Sequence, residues 1–247
     1  MMITQSPSPN FDERKSPVRV LVLHYTGMET GAAALERLCD PAAKVSAHYL
    51  VETDGRVFQM VGEDSRAWHA GVSEWAGITD LNSASVGIEI VNGGHDWRDA
   101  DGGLPAYPDM QINAVIALSK AVMTRHNIPA RNVVGHSDIA PARKKDPGEH
   151  FPWAGLAAAG IGLWPKGIET DNRLLFGPDQ RDRGVAIAQR GLAHIGYGAR
   201  VSGILDTETQ DIIKALQRRY RPDHIDGIID MQTMDIIKAL VELNSIA

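Results

Sequence analysis

Apolar and polar positions follow two different periods along this chain. Arg19–Tyr25 (RVLVLHY) is almost continuously apolar and β-branched, which predicts a central, buried strand. Ser85–Val91 (SVGIEIV) predicts a second one. Ala47–Glu52 and Arg56–Val61 flank Thr53-Asp54-Gly55, and the Asp-Gly pair predicts a hairpin turn. From Met110 to His126 the apolar residues fall at 112, 115, 116, 118, 122 and 123, one face of a helix that stops before Pro129. Thr30–Leu38 also reads as helical, and Asn132–Val134 as a short strand. Strands mixed with helices predict an α/β domain built on a central mixed β-sheet flanked by helices.

The pattern changes after Trp164. Pro165-Lys166-Gly167 and the polar stretch to Gln180 read as a linker, and from Arg181 the chain looks all-helical. Arg183–Ile195 predicts one helix. The segment Gly203-Ile204-Leu205-Asp206 to Leu216 then recurs 24 residues later as Gly227-Ile228-Ile229-Asp230 to Leu240. Each copy reads as a glycine turn, an aspartate N-cap and an amphipathic helix. The expected organisation is an N-terminal extension (1–16), an α/β domain (17–165), a linker (166–180) and a small all-α three-helix domain (181–247).

Composition narrows the function classes. The 247 residues carry a formal net charge of −6, so no bulk basic field favours nucleic acid. No apolar run is long enough to span a membrane. Cys39 is the single cysteine, which excludes an internal disulfide. Residues 1–17 lack the apolar stretch of a signal peptide. The expected location is therefore cytoplasmic, or periplasmic if a signal segment has been removed. No obligate protein partner is evident.

The chemistry concentrates in Gly135–Gly148 (GHSDIAPARKKDPG). His136 and Asp146, ten positions apart, can both reach one metal ion, and the lysines between them can stabilise developing negative charge. His24 ends the first strand and reads either as a core histidine or as a ligand at the sheet edge. Glu89 interrupts an apolar strand. Period-2 alternation puts Val86, Ile88 and Ile90 on one face, and Gly87, Glu89 and Val91 on the other. A buried carboxylate is costly without a partner, so Glu89 either faces a cleft or is paired. Two histidines, an aspartate and an embedded glutamate fit a zinc site with three protein ligands and an open fourth position. Asp146 as a turn residue before Pro147-Gly148, and Lys144 and Lys145 as surface charge, are the alternatives.

Five motifs occur in order: Val22-Leu23-His24-Tyr25-Thr26; Ala47-His48-Tyr49-Leu50-Val51 with Asp54-Gly55; Ala67-Trp68-His69-Ala70-Gly71; Val86-Gly87-Ile88-Glu89; and Gly135–Gly148. Together they resemble the type 2 N-acetylmuramoyl-L-alanine amidase family, the AmpD/AmiD-like zinc amidases related to peptidoglycan recognition proteins. In the tail, Ile204-Leu205-Asp206 and Gln217-Arg218-Arg219-Tyr220 before Ile225-Asp226-Gly227 resemble the helical peptidoglycan-binding domain that often follows such amidases. The resemblance implies Zn2+ held by His24, His136 and Asp146, with Glu89 activating water and Lys144 stabilising the oxyanion. It also implies that Trp68 and His69 line the substrate groove. Ala47 stands where some relatives carry a tyrosine, which leaves the base role to Glu89. Arg143 and Lys145 then become surface charge, and His48, His95, His126 and His150 surface or packing residues.

The implied reaction is hydrolysis of the amide between the muramic acid lactyl group and L-alanine. The expected substrate is a soluble 1,6-anhydro-muropeptide in cell-wall recycling. The alternatives are an exported amidase acting on polymeric peptidoglycan, or a non-catalytic muropeptide-binding protein. The last of these lacks the metal, whereas all three ligand positions are filled here.

Overall fold

The computed structural model describes residues 2–246; residues 1 and 247, which bound the expected extension and helical domain, lie outside the described residues. Two short strands, β1 (Ile3–Gln5) and β2 (Phe11–Glu13), precede the apolar run, which forms β3 (Val20–Tyr25). Thr30 then caps α1 (Gly31–Cys39), its hydroxyl accepting from the Ala33 amide at 3.2 Å. The hairpin around Asp54-Gly55 is β4 (Tyr49–Val51) and β5 (Val57–Gln59), paired antiparallel. After it come β6 (Ser65–Ala67), α2 (Leu81–Ala84), β7 (Ser85–Ile90), the long α3 (Asp109–His126), β8 (Val133–Gly135), α4 (His136–Ile139) and α5 (Trp153–Ala158). α3 ends where Asn127 turns left-handed (φ 53°) ahead of Pro129.

The main sheet has the order β1-β5-β4-β7-β3-β8. β3 lies parallel to both β7 and β8, and the hairpin supplies the antiparallel pair. Parallel strands need cover on both faces. On one face Leu21 and Leu23 of β3 and Val86, Ile88 and Ile90 of β7 pack against Val115, Leu118 and Val122 of α3 and Leu156 of α5. On the opposite face α1 sets Ala34 and Leu38 against Leu50 of β4 in a separate cluster, because Leu50 points away from Tyr49 and Val51.

The rest of that face is covered by the C-terminal region: β9 (Leu174–Phe176), α6 (Arg183–Ile195), α7 (Thr207–Tyr220), β10 (Ile229–Asp230) and α8 (Met231–Ile246). Val20 and Val22 of β3, Val134 of β8 and Ile139 of α4 form one buried cluster with Val185 and Leu192 of α6 and Ile213 and Leu216 of α7. The three helices expected from sequence are present, and β9 pairs with β10 in a small antiparallel ribbon beside them. The repeat has a structural cause. Gln189 donates to Thr209 and to the Ile204 carbonyl and accepts from the Gly203 amide. Gln217 makes the same three bonds to Thr233, Ile228 and Gly227. Asp206 and Asp230 accept from the Thr209 and Thr233 amides, each at 2.8 Å.

Two segments are more ordered than their composition suggested. Residues 2–16 are woven into the fold, because β1 extends the main sheet along β5 and β2 pairs with β6. The Arg14 guanidinium donates to the carbonyls of Glu63, Ser65, Ser83 and Ser85. The expected linker contains β9, held by its partner in the helical region.

A core shared across both regions predicts one cooperative unfolding transition. Scanning calorimetry is expected to show a single peak; two separable peaks would contradict the shared core.

Candidate metal centre

Strand register brings the site together. His24 stands directly opposite Glu89 across the β3–β7 pair, and Leu23 stands opposite Gly135 across β3–β8. His136 follows Gly135 immediately, so all three chemical groups emerge at the carboxyl edge of parallel strands, where open α/β sheets place ligands. Asp146 returns to this edge because the Ser137 amide donates to its carbonyl at 2.9 Å.

Three donor atoms form a closed triangle. His24 Nδ1 lies 3.0 Å from His136 Nδ1 and 3.1 Å from Asp146 Oδ2, and His136 Nδ1 lies 3.0 Å from that oxygen. All three side chains are buried. The outer hydrogen bonds decide where the ring protons sit. His136 Nε2 faces the Ala70 carbonyl at 3.1 Å, and a carbonyl only accepts, so this nitrogen carries the proton and Nδ1 is a bare lone pair. The Ser85 hydroxyl donates to the Leu81 carbonyl, so it accepts from His69 Nε2 at 3.2 Å. His69 Nδ1 must then accept from His24 Nε2 at 3.0 Å, which leaves His24 Nδ1 bare as well. Two lone pairs and a carboxylate therefore converge with no proton between them. Three acceptors about 3 Å apart repel one another unless a cation sits among them, and donors about 2.0–2.1 Å from a tetrahedral zinc ion have nearly this spacing. The outer-shell bonds that orient both imidazoles are those expected of metal-binding histidines.

The electrostatics agree. Burial, and then the charge of His136, hold the His24 imidazole down at about 4, and burial with His24 and His48 lowers His69 well below its usual value.

A cavity of about 440 Å³ opens beside the triangle, with Glu89, Lys144, Trp68 and His69 on its walls. Glu89 Oε2 has no hydrogen-bond partner among the described residues. Burial, then the charge of Asp146, push its carboxyl well above the ordinary value, with Lys144 opposing. Trp68 is pinned by its indole N–H, which donates to Asp12 at 2.7 Å. The His69 ring is mostly buried behind His24, with both nitrogens engaged.

Several residues at the site were not expected from sequence. Arg143, read as surface charge, donates to the carbonyls of Ala70 and Val72 and so fixes the carbonyl that orients His136. His95, read as surface or packing, links the Tyr25 hydroxyl (2.9 Å) to Glu149 (3.2 Å). Tyr25 and His95 also line the cavity. Burial, with the charge of Asp146, pushes the Tyr25 hydroxyl up to about 12. The one cue was the position of Tyr25 next to His24.

Fold and site thus define an α/β protein with a buried His–His–Asp cluster, able to hold a metal ion, at the carboxyl edge of its sheet. Residues 14–149 match the family described as "N-acetylmuramoyl-L-alanine amidase", and residues 181–237 the one described as "Putative peptidoglycan binding domain". The chain is 38% identical to the Escherichia coli N-acetylmuramoyl-L-alanine amidase AmiD over 83% of its own length and 75% of AmiD. It is 37% identical to the Citrobacter freundii 1,6-anhydro-N-acetylmuramyl-L-alanine amidase AmpD over 62% of its length and 87% of AmpD. The solved structure of AmiD in complex with anhydro-N-acetylmuramic acid-L-Ala-D-γ-Glu-L-Lys superposes with a TM-score of 0.79 at 35% identity, covering 94% of this chain and 92% of AmiD. Pseudomonas aeruginosa AmpDh3, in complex with anhydromuramic pentapeptide, gives 0.72 at 35% identity, covering 95% and 94%. The chain belongs to the N-acetylmuramoyl-L-alanine amidase family and is an amidase of that specificity. Among the described residues no helix is long and apolar enough to cross a membrane.

Gly87 tests the imidazole chain. A Cβ there would stand 2.5 Å from His69 Cγ. Gly87→Ala is expected to cost about 1–3 kcal/mol of stability through overpacking. It should also shift the His69 and His24 ring resonances in NMR spectra; unchanged resonances would contradict the packing described.

Proposed function

We propose that the amidase is zinc-dependent, with His24, His136 and Asp146 as ligands, Glu89 as general base and Lys144 as oxyanion donor. The proton-free triangle carries this reading, since two bare imidazole nitrogens and a carboxylate suit zinc better than a proton. Zinc bound there would polarise the scissile carbonyl and lower the pKa of a neighbouring water. Glu89, on the cavity wall, takes a proton from the attacking water, and its raised affinity for that proton suits it to the task. The same carboxyl then returns the proton to the departing L-alanine amine. His69 is unsuited to that step, because both its ring nitrogens are occupied. Lys144, on the cavity wall, donates to the oxyanion, a contribution of about 3 kcal/mol for one well-placed donor. Trp68, held by Asp12, gives the substrate an apolar wall.

Glu89→Gln is expected to retain one equivalent of zinc by elemental analysis while turnover falls about 10²–10⁴-fold. Wild-type turnover in that variant would remove Glu89 from the mechanism.

The proposed substrates are soluble 1,6-anhydro-muropeptides released during wall recycling. Support comes from the anhydro-muramyl peptides held by the AmiD and AmpDh3 structures. The match of residues 181–237 favours a second reading, action on polymeric peptidoglycan. Rates on a soluble anhydro-muropeptide and on intact sacculi separate the two. The first reading requires the soluble substrate to have the higher kcat/KM by at least about tenfold; a preference for sacculi establishes the second.

A further inference from the structure

The turn that carries His136 is held from the helical region. Asp138, two residues after His136 and 1% exposed, receives three hydrogen bonds through its carboxylate. One comes from within the turn, the Gly135 amide at 2.8 Å. The others come from the C-terminal helices and their connection: Arg219 Nη1 at 2.7 Å and the Tyr197 hydroxyl at 2.8 Å. Arg219 Nη2 also donates to the Val133 carbonyl at 3.1 Å, on the strand that leads into the turn. Its guanidinium lies 3.9 Å over the Trp153 ring, and Tyr197 packs edge-on against Trp75. A charge buried this deeply is retained only with its partners in place, so Asp138 has few alternative positions.

We propose that Arg219 and Tyr197 are positioning residues for amide hydrolysis: through Asp138 they fix the Gly135–Ile139 turn and so aim His136 at the metal. The helical region then completes the metal centre as well as covering the sheet. This inference rests on the zinc reading above. It assigns the C-terminal region a role that requires no contact with glycan. A guanidinium suits the position because its planar fork reaches the carboxylate and the Val133 carbonyl together, which a lysine ammonium cannot do.

The test compares zinc affinity, measured by chelator competition on the full chain, among wild type, Arg219→Met, Arg219→Lys, Tyr197→Phe and Leu192→Ala. Leu192 lies in the shared core and its side chain supplies none of the hydrogen bonds to Asp138, so Leu192→Ala serves as a control for general destabilisation. Tyr197→Phe removes a single oxygen and keeps the test open if Arg219→Met does not fold. The expected result is zinc binding weakened about 10–100-fold in the Arg219 and Tyr197 variants, the range seen when metal-orienting partners are lost. kcat should fall with little change in KM, and the melting temperature of Leu192→Ala should drop without loss of zinc affinity. Wild-type zinc affinity in Tyr197→Phe and the folded Arg219 variants would overturn the proposal, as would an equal loss in Leu192→Ala. A wild-type chain that takes up no zinc would instead refute the zinc reading, a separate outcome.

Discussion

The parallel register of β7, β3 and β8 is the constraint on which this structure depends. With His24 opposite Glu89 and Leu23 opposite Gly135, three groups far apart in sequence emerge side by side at one sheet edge. A slip of one residue would turn His24 toward the face packed by α3 and break the site. The register is secured by packing, because Leu21 and Leu23 face α3 while Val20 and Val22 face the C-terminal helices. The apolar alternation that stabilises the sheet is thus the same device that aims the chemistry.

Around this edge the protein spends hydrogen bonds on proton placement. Ser85, His69 and the Ala70 carbonyl together force both Nδ1 atoms to be bare, and Arg143 holds the Ala70 carbonyl in place. Glu89, on the cavity wall, differs in having a buried carboxylate oxygen with no hydrogen-bond partner among the described residues. The contrast between saturated imidazoles and an unsaturated carboxylate separates groups that hold a cation from one that moves a proton.

Much of this was readable in the sequence, and what was missed has definite physical causes. β3, β7 and α3 were evident because long apolar periods reflect burial, and the hairpin because Asp-Gly reflects turn geometry. The convergence of His24, His136 and Asp146 was what the resemblance to the zinc amidases implied, and their donor atoms do come together. β1 was hidden because an edge strand of three residues needs little apolar character. Arg143 and His95 were hidden because their partners, the Ala70 carbonyl and the Tyr25 hydroxyl, belong to distant segments. Arg219 was read only as part of the Gln217–Tyr220 motif of the tail; its reach across to Asp138 is visible only in the shared core. Side-chain bonds to remote backbone leave no local period to read.

The central claim, that two proton-free imidazole nitrogens and Asp146 form a cation site, is tested most directly by long-range 15N NMR of the histidines with one equivalent of zinc. The account predicts that His24 and His136 are both protonated at Nε2, with the metal-induced shift falling on Nδ1 in each. A proton on either Nδ1, or a zinc-induced shift on Nε2, would contradict it.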